Sequence, residues 1–204
     1  MARGTRRLPR AVRAQQMLDA AVEVFSRNGF HDASMDEIAE AAAISKPMLY
    51  LYHGSKDELF QACIMRETQR FVQAVTEGAD PDLSPREQLA RGLLAFFTFV
   101  AEHRDSWLVL YRQARGQQPF AAQVVTGRVQ VAQVVSALLQ RSNPHELPAD
   151  HFDAVAFALV GAGEALADRM LDQPEVDPQA TAALLVELAW HGLAGARDRA
   201  ERRR

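Results

Sequence analysis

Residues 34–56, SMDEIAEAAAISKPMLYLYHGSK, pack three helix starts into one short stretch and so leave the chain few options. Ser34 followed by Glu37 is a capping-box pattern: the hydroxyl caps a helix N-terminus and the carboxylate reaches back. The helix behind it presents Ile38, Ala39 and Ala42 on one side at helical spacing. Ser45 then caps a second short helix, with Pro47 in the first turn, where a missing N–H does no harm. That helix is expected to reach about Tyr52, with Leu49 inward and Lys46, Met48, Tyr50 and Tyr52 on its more exposed sides. Ser55 and Glu58 repeat the box, starting a third helix almost at once. Two short helices across a tight turn, the second with a donor-rich face, make a helix-turn-helix. In that motif the second helix lies in the DNA major groove.

The distribution of charge agrees with this better than its total does. Net charge is −3, which alone argues against non-specific nucleic-acid binding. Residues 1–56, however, hold eight Arg and Lys against six Asp and Glu, leaving the remainder net acidic. Arg3, Arg6, Arg7, Arg10 and Arg13 precede the first acid. An arm over residues 1–12 carrying Arg3, Arg6 and Arg7 suits phosphates or the adjacent minor groove; a solubilising terminus is the alternative.

The rest of the chain reads as helices throughout. A first helix over about Arg13–Asn28 carries Met17, Ala20, Ala21, Val24 and Phe25 as a core stripe and is ended by Gly29. A fourth runs from about Lys56 to Thr76 and is long enough to connect two units. After the break at residues 78–83, Ser84, Pro85 and Glu87 restart the chain with N-cap, N1 proline and capping box. Four further helices follow, near residues 105–114, 119–141, 149–171 and 178–199. The expected fold is all-α with about nine helices. A helix-turn-helix domain over residues 13–56 precedes a larger helical domain over 57–204, with the fourth helix bridging. Cys63 is the only cysteine, so a disulfide framework or a cysteine-based zinc site is excluded and a reducing cytoplasm fits. The arginine-rich start does not read as a signal peptide, and the longest nearly uncharged stretch is too short to span a membrane.

Ala20-Ala21, Phe25, Gly29-Phe30, Ile38-Ala39, Ile44-Ser45, Leu49-Tyr50 and Ser55-Lys56-Asp57-Glu58-Leu59 together carry a family likeness. Residues 13–65 resemble the N-terminal domain of the TetR family of transcriptional regulators. Two positions depart from that pattern. Ala43 stands where the turn between the helices usually holds glycine; in a left-handed conformation alanine costs about 1–2 kcal/mol. His53 replaces an aromatic or aliphatic residue and is expected to reach solvent or a phosphate. The resemblance implies that Tyr50, Tyr52 and Lys56 meet the phosphate backbone, contacts that position rather than specify. By chemistry, Lys46 suits guanine O6 and N7, Met48 a thymine methyl, and Pro47 apolar contact alone. Ser34 and Ser45, at helix N-termini, are further phosphate partners.

In the larger domain Phe96, Phe97, Trp107, Tyr111, Phe120 and Phe157 are individually expected in the core. As a set they would line the apolar cavity in which proteins of this kind bind an effector. Glu164 interrupts an apolar run, and a buried carboxylate needs an arginine or a ligand. Small residues crowd the last two helices; the resemblance implies that these pair with a second copy through Gly161, Ala165, Ala183, Trp190 and Gly192. No catalytic constellation, phosphate loop or metal-ligand cluster is present in the spacing, and neither an enzyme activity nor a cofactor is expected. The chain therefore reads as a cytoplasmic homodimeric regulator. Its partners are double-stranded operator DNA and a small, apolar effector, with no membrane. A repressor is the reading taken, with an activator of the same architecture as alternative. An all-α carrier or enzyme for hydrophobic molecules would explain the larger domain but not the arginine arm or the helix-turn-helix.

Overall fold

Nine helices and no strand make up the described residues of the computed structural model, 9–77, 80, 82–116, 120–142 and 148–201, with side chains described outside 76–77 and 191–201. Helix α1 (Arg10–Asp32) buries Met17, Ala20, Ala21, Val24 and Phe25, the stripe its 3.6-residue period sets out. Gly29 interrupts it at φ 78° and ψ 166°, a combination open essentially to glycine alone. A Cβ there would also lie 3.3 Å from the Gln113 amide oxygen. The extra turn beyond Gly29 brings Phe30 back onto Phe60, with ring centroids 4.9 Å apart.

Helices α2 (Met35–Ala41) and α3 (Lys46–Tyr52) follow. Ser34 caps α2 as its spacing requires, its hydroxyl accepting from the Glu37 N–H at 3.1 Å. The reciprocal half of the box is not made. Arg27 and Asn28 each donate to the Glu37 carboxylate at 2.7 Å, which ties the end of α1 to the start of α2. The Arg27 bond first, then that from Asn28, holds this carboxyl below its usual range. Between the helices the Ala43 N–H reaches Glu40 O at 2.9 Å and the Ile44 N–H reaches Ala39 O at 3.0 Å. These are the paired bonds of a Schellman turn, which needs a left-handed residue at its centre. That residue is Ala43, with φ 52°. Ala43→Gly removes the Cβ clash of about 1–2 kcal/mol and returns part of it through a more flexible unfolded chain. The expected net gain is about 0.5–1 kcal/mol, read as a higher denaturant midpoint; a lower one contradicts the strain.

Helix α4 (Lys56–Glu77) begins at Ser55, whose hydroxyl accepts from the Glu58 N–H at 3.1 Å. The remaining helices are α5 (Pro85–Glu102), α6 (Arg104–Trp107), α7 (Phe120–Ser142), α8 (Ala149–Asp172) and α9 (Pro178–Glu201). Helix α6 continues into a π-helical stretch over Leu108–Gln113. Ser84 and Glu87 form both halves of a capping box at α5.

The chain divides into two compact units later than the expected boundary at residue 57. The first unit extends through Thr68 and also takes in Asp105–Ala121. The physical reason lies on α1 and α4: Ser26 donates to Asp105 at 2.9 Å and Gln113 lies over Gly29, both on α1, while Phe120 packs on Phe60 of α4 with centroids 5.0 Å apart. Phe25, Phe60, Leu59, Ile38 and Leu49, all without exposure, centre this unit. Near its core α1 and α4 share an ionic cluster. Glu67 is fully buried and pairs with Arg66, which also meets Asp19 at 2.6 Å. In the second unit α5 packs along α9, with α8 against both. Leu89, Leu139, Phe152, Leu159 and Ala189 form a core there, with Trp190 partly buried beside it. Arg104 donates to the carbonyls of Met170 and Leu171 and so satisfies the end of α8.

Candidate nucleic-acid interface and effector unit

Helix α3 is seven residues long, and its burial pattern defines what it offers. Leu49 is fully buried and turns the helix onto the first unit. Ser45, Lys46, Pro47, Tyr50 and Leu51 are exposed. Lys46 and Tyr50 fall one turn apart along one edge, Pro47 and Leu51 one turn apart along the other. Ser45 is the N-cap, yet its side chain makes no cap bond, so the hydroxyl is left for another acceptor or donor. The Lys46 ammonium lies 2.7 Å from the Asp36 carboxylate on α2, and both side chains are open to solvent. That bond raises the lysine pKa further, so Lys46 stays charged.

Other positions expected to face DNA are placed differently. Met48 is half-buried, its sulfur accepting from Arg13 at 3.5 Å, so the helix turns it toward α1 and away from the exposed face. Tyr52 is half-buried beneath Arg10, whose guanidinium is 5.5 Å from the ring centroid. Lys56 donates to the carbonyls of His31 and Ala33 at 2.9 and 3.1 Å and sits 4.8 Å from the Phe30 centroid. It closes the end of α1, a structural duty that the phosphate role did not include. His53 does not simply reach solvent: its Nε2 is buried without a hydrogen-bond partner. Burial pushes the imidazole pKa down against the opposing pull of Glu58, which favours the neutral ring. Arg3, Arg6 and Arg7 lie outside the described residues. Leu51, 80% exposed, and Asp36 are members of this face that the sequence reading did not single out.

The aromatic residues expected to line one effector cavity are divided between the two units. Phe96 and Phe97 belong to the second unit, in an aromatic group with Phe71 and Phe99. Trp107, Tyr111 and Phe120 belong to the first unit. Phe120 completes its core, while Trp107 and Tyr111 stack with centroids 4.2 Å apart. The π-helical stretch that carries Tyr111 packs on α1. Phe157 is 45% exposed on α8 and lines no interior. Glu164 is buried, and Arg128 of α7 approaches it, Nε to Oε1, at 3.0 Å. The approach lacks hydrogen-bond alignment and the arginine is partly solvated. Burial, with Asp168 adding to it, pushes the Glu164 carboxyl up to about 7. Cys63 is buried and its thiol is pushed up to about 12, which makes it unreactive. Among the described residues no group of side chains could hold a metal ion, and no helix is long and apolar enough to cross a membrane.

The small residues on α8 and α9 also divide. A Cβ on Gly161 would lie 3.3 Å from Arg128 Nη2, so this glycine makes room for an arginine of the same chain. Trp190 packs in its own unit beneath Arg86. Ala165 and Ala183 are exposed, and the side-chain surroundings of Gly192 lie outside the described residues. The larger exposed apolar residues here are Phe157, Leu184 and Leu188.

A family model described as tetracyclin repressor-like, C-terminal domain, matches residues 85–192, and one for bacterial regulatory proteins of the tetR family matches residues 17–63. The chain belongs to the TetR family. A relative in Mycolicibacterium smegmatis, the HTH-type transcriptional activator FasR, is 32% identical over 188 residues, covering 92% of this chain and 85% of the relative. A crystal structure of a TetR-like transcriptional regulator from Rhodococcus sp. RHA1 superposes with a TM-score of 0.85 at 57% identity, over 93% of this chain and all of that one. The regulator FadR of Bacillus subtilis, in complex with stearoyl-CoA, shares the fold with a TM-score of 0.68 at 19% identity, over 86% of this chain and 96% of that one. This TetR-family protein is thus a helix-turn-helix transcriptional regulator of operator DNA. As in its family, it works as a dimer and takes a small-molecule effector.

Proposed function

We propose that this regulator is a cytoplasmic repressor that grips its operator through the exposed face of α3 and lets go when its second unit binds an apolar, acyl-chain effector. The observation that carries the DNA-contact reading is the seven-residue α3 itself. Its inward edge is fixed by fully buried Leu49, while Lys46, Pro47, Tyr50 and Leu51 are exposed on a helix-turn-helix of Schellman geometry, Lys46 in reach of Asp36. Lys46 reads a guanine through its ammonium donors. Tyr50 and the unbonded hydroxyl of Ser45 meet phosphates, with the arm residues Arg3, Arg6 and Arg7 adding charge. Tyr52 and Lys56 support this surface from behind, through Arg10 and through the end of α1. Support for the acyl effector comes from the FadR structure with stearoyl-CoA and from the aromatic group around Phe96 and Phe97. Binding shifts the dimer between two arrangements, and α4, which contributes to both units, links them.

The test is fluorescence anisotropy on a duplex selected from a random pool, at fixed salt. Lys46→Ala is expected to weaken the selected duplex by about 1–3 kcal/mol and to erase discrimination at one guanine. Long-chain acyl-CoA is expected to release the wild-type protein. Unchanged affinity in Lys46→Ala would sink the base contact, and acyl-CoA that tightens binding would reverse the sign of regulation.

A further inference from the structure

We infer that Leu51 selects a thymine in each operator half-site through the C5-methyl group of that base. The inference rests on the reading that α3 enters the major groove. A single exposed leucine on a protein surface is ordinary. Leu51 differs in its place and its company. It is 80% exposed on a helix whose neighbouring side chain, Leu49, is completely buried. Two residues along a helix amount to about 200° of rotation, so one leucine turned into the core obliges the other to face outward. Pro47, also exposed, precedes Leu51 by one turn, and the pair forms an apolar edge beside the polar edge of Lys46 and Tyr50.

The two edges complement the two kinds of feature in the major groove. Guanine offers acceptors, which Lys46 can satisfy, and thymine offers a methyl group, which only apolar contact rewards. Met48, the other candidate for that methyl, is turned toward Arg13. Tyr50 stands on the polar edge and brings a hydroxyl. Leu51 is the large apolar side chain left most open on this face. A leucine against a thymine methyl removes both from water, and against any other base edge it covers polar atoms without bonding them, which is unfavourable.

Deoxyuridine differs from thymidine only by this methyl group, and that allows a direct test. The duplex selected by the wild-type protein is made with each thymine replaced in turn by deoxyuridine, symmetrically in both half-sites. Affinity is expected to fall about fourfold per half-site at one position, the worth of one buried methyl. Leu51→Ala is expected to bind thymine and deoxyuridine there equally, while every other position keeps its wild-type response. Leu51→Met, which retains apolar reach, is expected to restore the sensitivity. The 80% exposure of Leu51 predicts unchanged melting for both variants. Specific binding with no methyl-sensitive thymine, or a sensitivity that survives in Leu51→Ala, overturns the assignment to Leu51 alone. A wild-type protein that selects no duplex overturns the reading beneath it as well.

Discussion

Arg66→Ala is expected to lower the stability of the protein by about 3 kcal/mol or more. Arg66 reaches from α4 to α1: its guanidinium meets Asp19 at 2.6 Å and the carbonyl of Gln15 at 3.3 Å, and pairs with Glu67 beside it. Glu67 has no exposed surface, so removing the cation strips a buried carboxylate of a charged partner. Desolvated charge is far costlier than the exposed pairs elsewhere in this chain, such as Lys46 with Asp36, which solvent screens. Against a typical total of about 5–15 kcal/mol, the loss is a large share of the stability. Chemical denaturation followed by circular dichroism, at one fixed protein concentration because the protein dimerises, measures it. The double replacement Arg66→Met with Glu67→Leu is expected to recover much of the loss, since an apolar pair takes the place of the buried ion pair. A single variant as stable as the wild type, or a double variant worse than the single, would show that this cluster does not hold the two helices together.

The elements were legible because each is announced by local chemistry. Ser34, Ser45, Ser55 and Ser84 sit at helix starts and Gly29 breaks the backbone of α1, so helix boundaries follow from caps and conformational freedom. Ala43 shows the same rule from the other side. Its place in the turn required φ above zero, and it adopts φ 52° despite its Cβ. Partnerships across the fold were less legible, since periodicity names a face and not the neighbour it meets. Glu37 follows Ser34 at capping-box spacing, yet Arg27 and Asn28 compete successfully for its carboxylate. Trp107, Tyr111 and Phe120 look like companions of Phe96 in composition, but they belong to the first unit, where the π-helical stretch carrying Tyr111 packs on α1.

On the interface the same limit separates Met48 from Leu51. Hydrophobicity alone ranks both leucine and methionine as core residues. Once Leu49 is fixed inward, the helical period decides otherwise. Met48 adjoins the buried side, and Leu51 stands opposite it. The signal for Leu51 was present in its spacing from Leu49, and only its residue type argued against exposure.

Leu188→Glu is expected to dissociate the dimer and, with it, to abolish tight operator binding. Leu184 and Leu188 are 51% and 57% exposed one turn apart on α9, while Leu185 and Ala189 on the same helix are buried in their own unit. The helix thus presents a second apolar edge that this chain does not cover, and on α8 Phe157 is 45% exposed as well. A family dimer pairing α8 and α9 with a second copy would bury these residues, alongside the exposed Ala165 and Ala183. Gly161 is a poorer probe of that interface, because a larger side chain would first strike Arg128. Losing one buried leucine costs about 1.5–3 kcal/mol, and a twofold interface counts the loss twice. The dimer dissociation constant should therefore rise by about a hundredfold or more, before the repulsion between the new carboxylates is added. Operator affinity falls with it, because two half-sites are held only by a joined pair of α3 helices. Val134→Glu is the control: Val134 is 63% exposed, but on α7. It should leave both properties unchanged. Analytical ultracentrifugation and anisotropy on the selected duplex read the two properties separately. A Leu188→Glu protein that stays dimeric with native operator affinity, or a Val134→Glu protein that dissociates, would move the interface from α9 to another face.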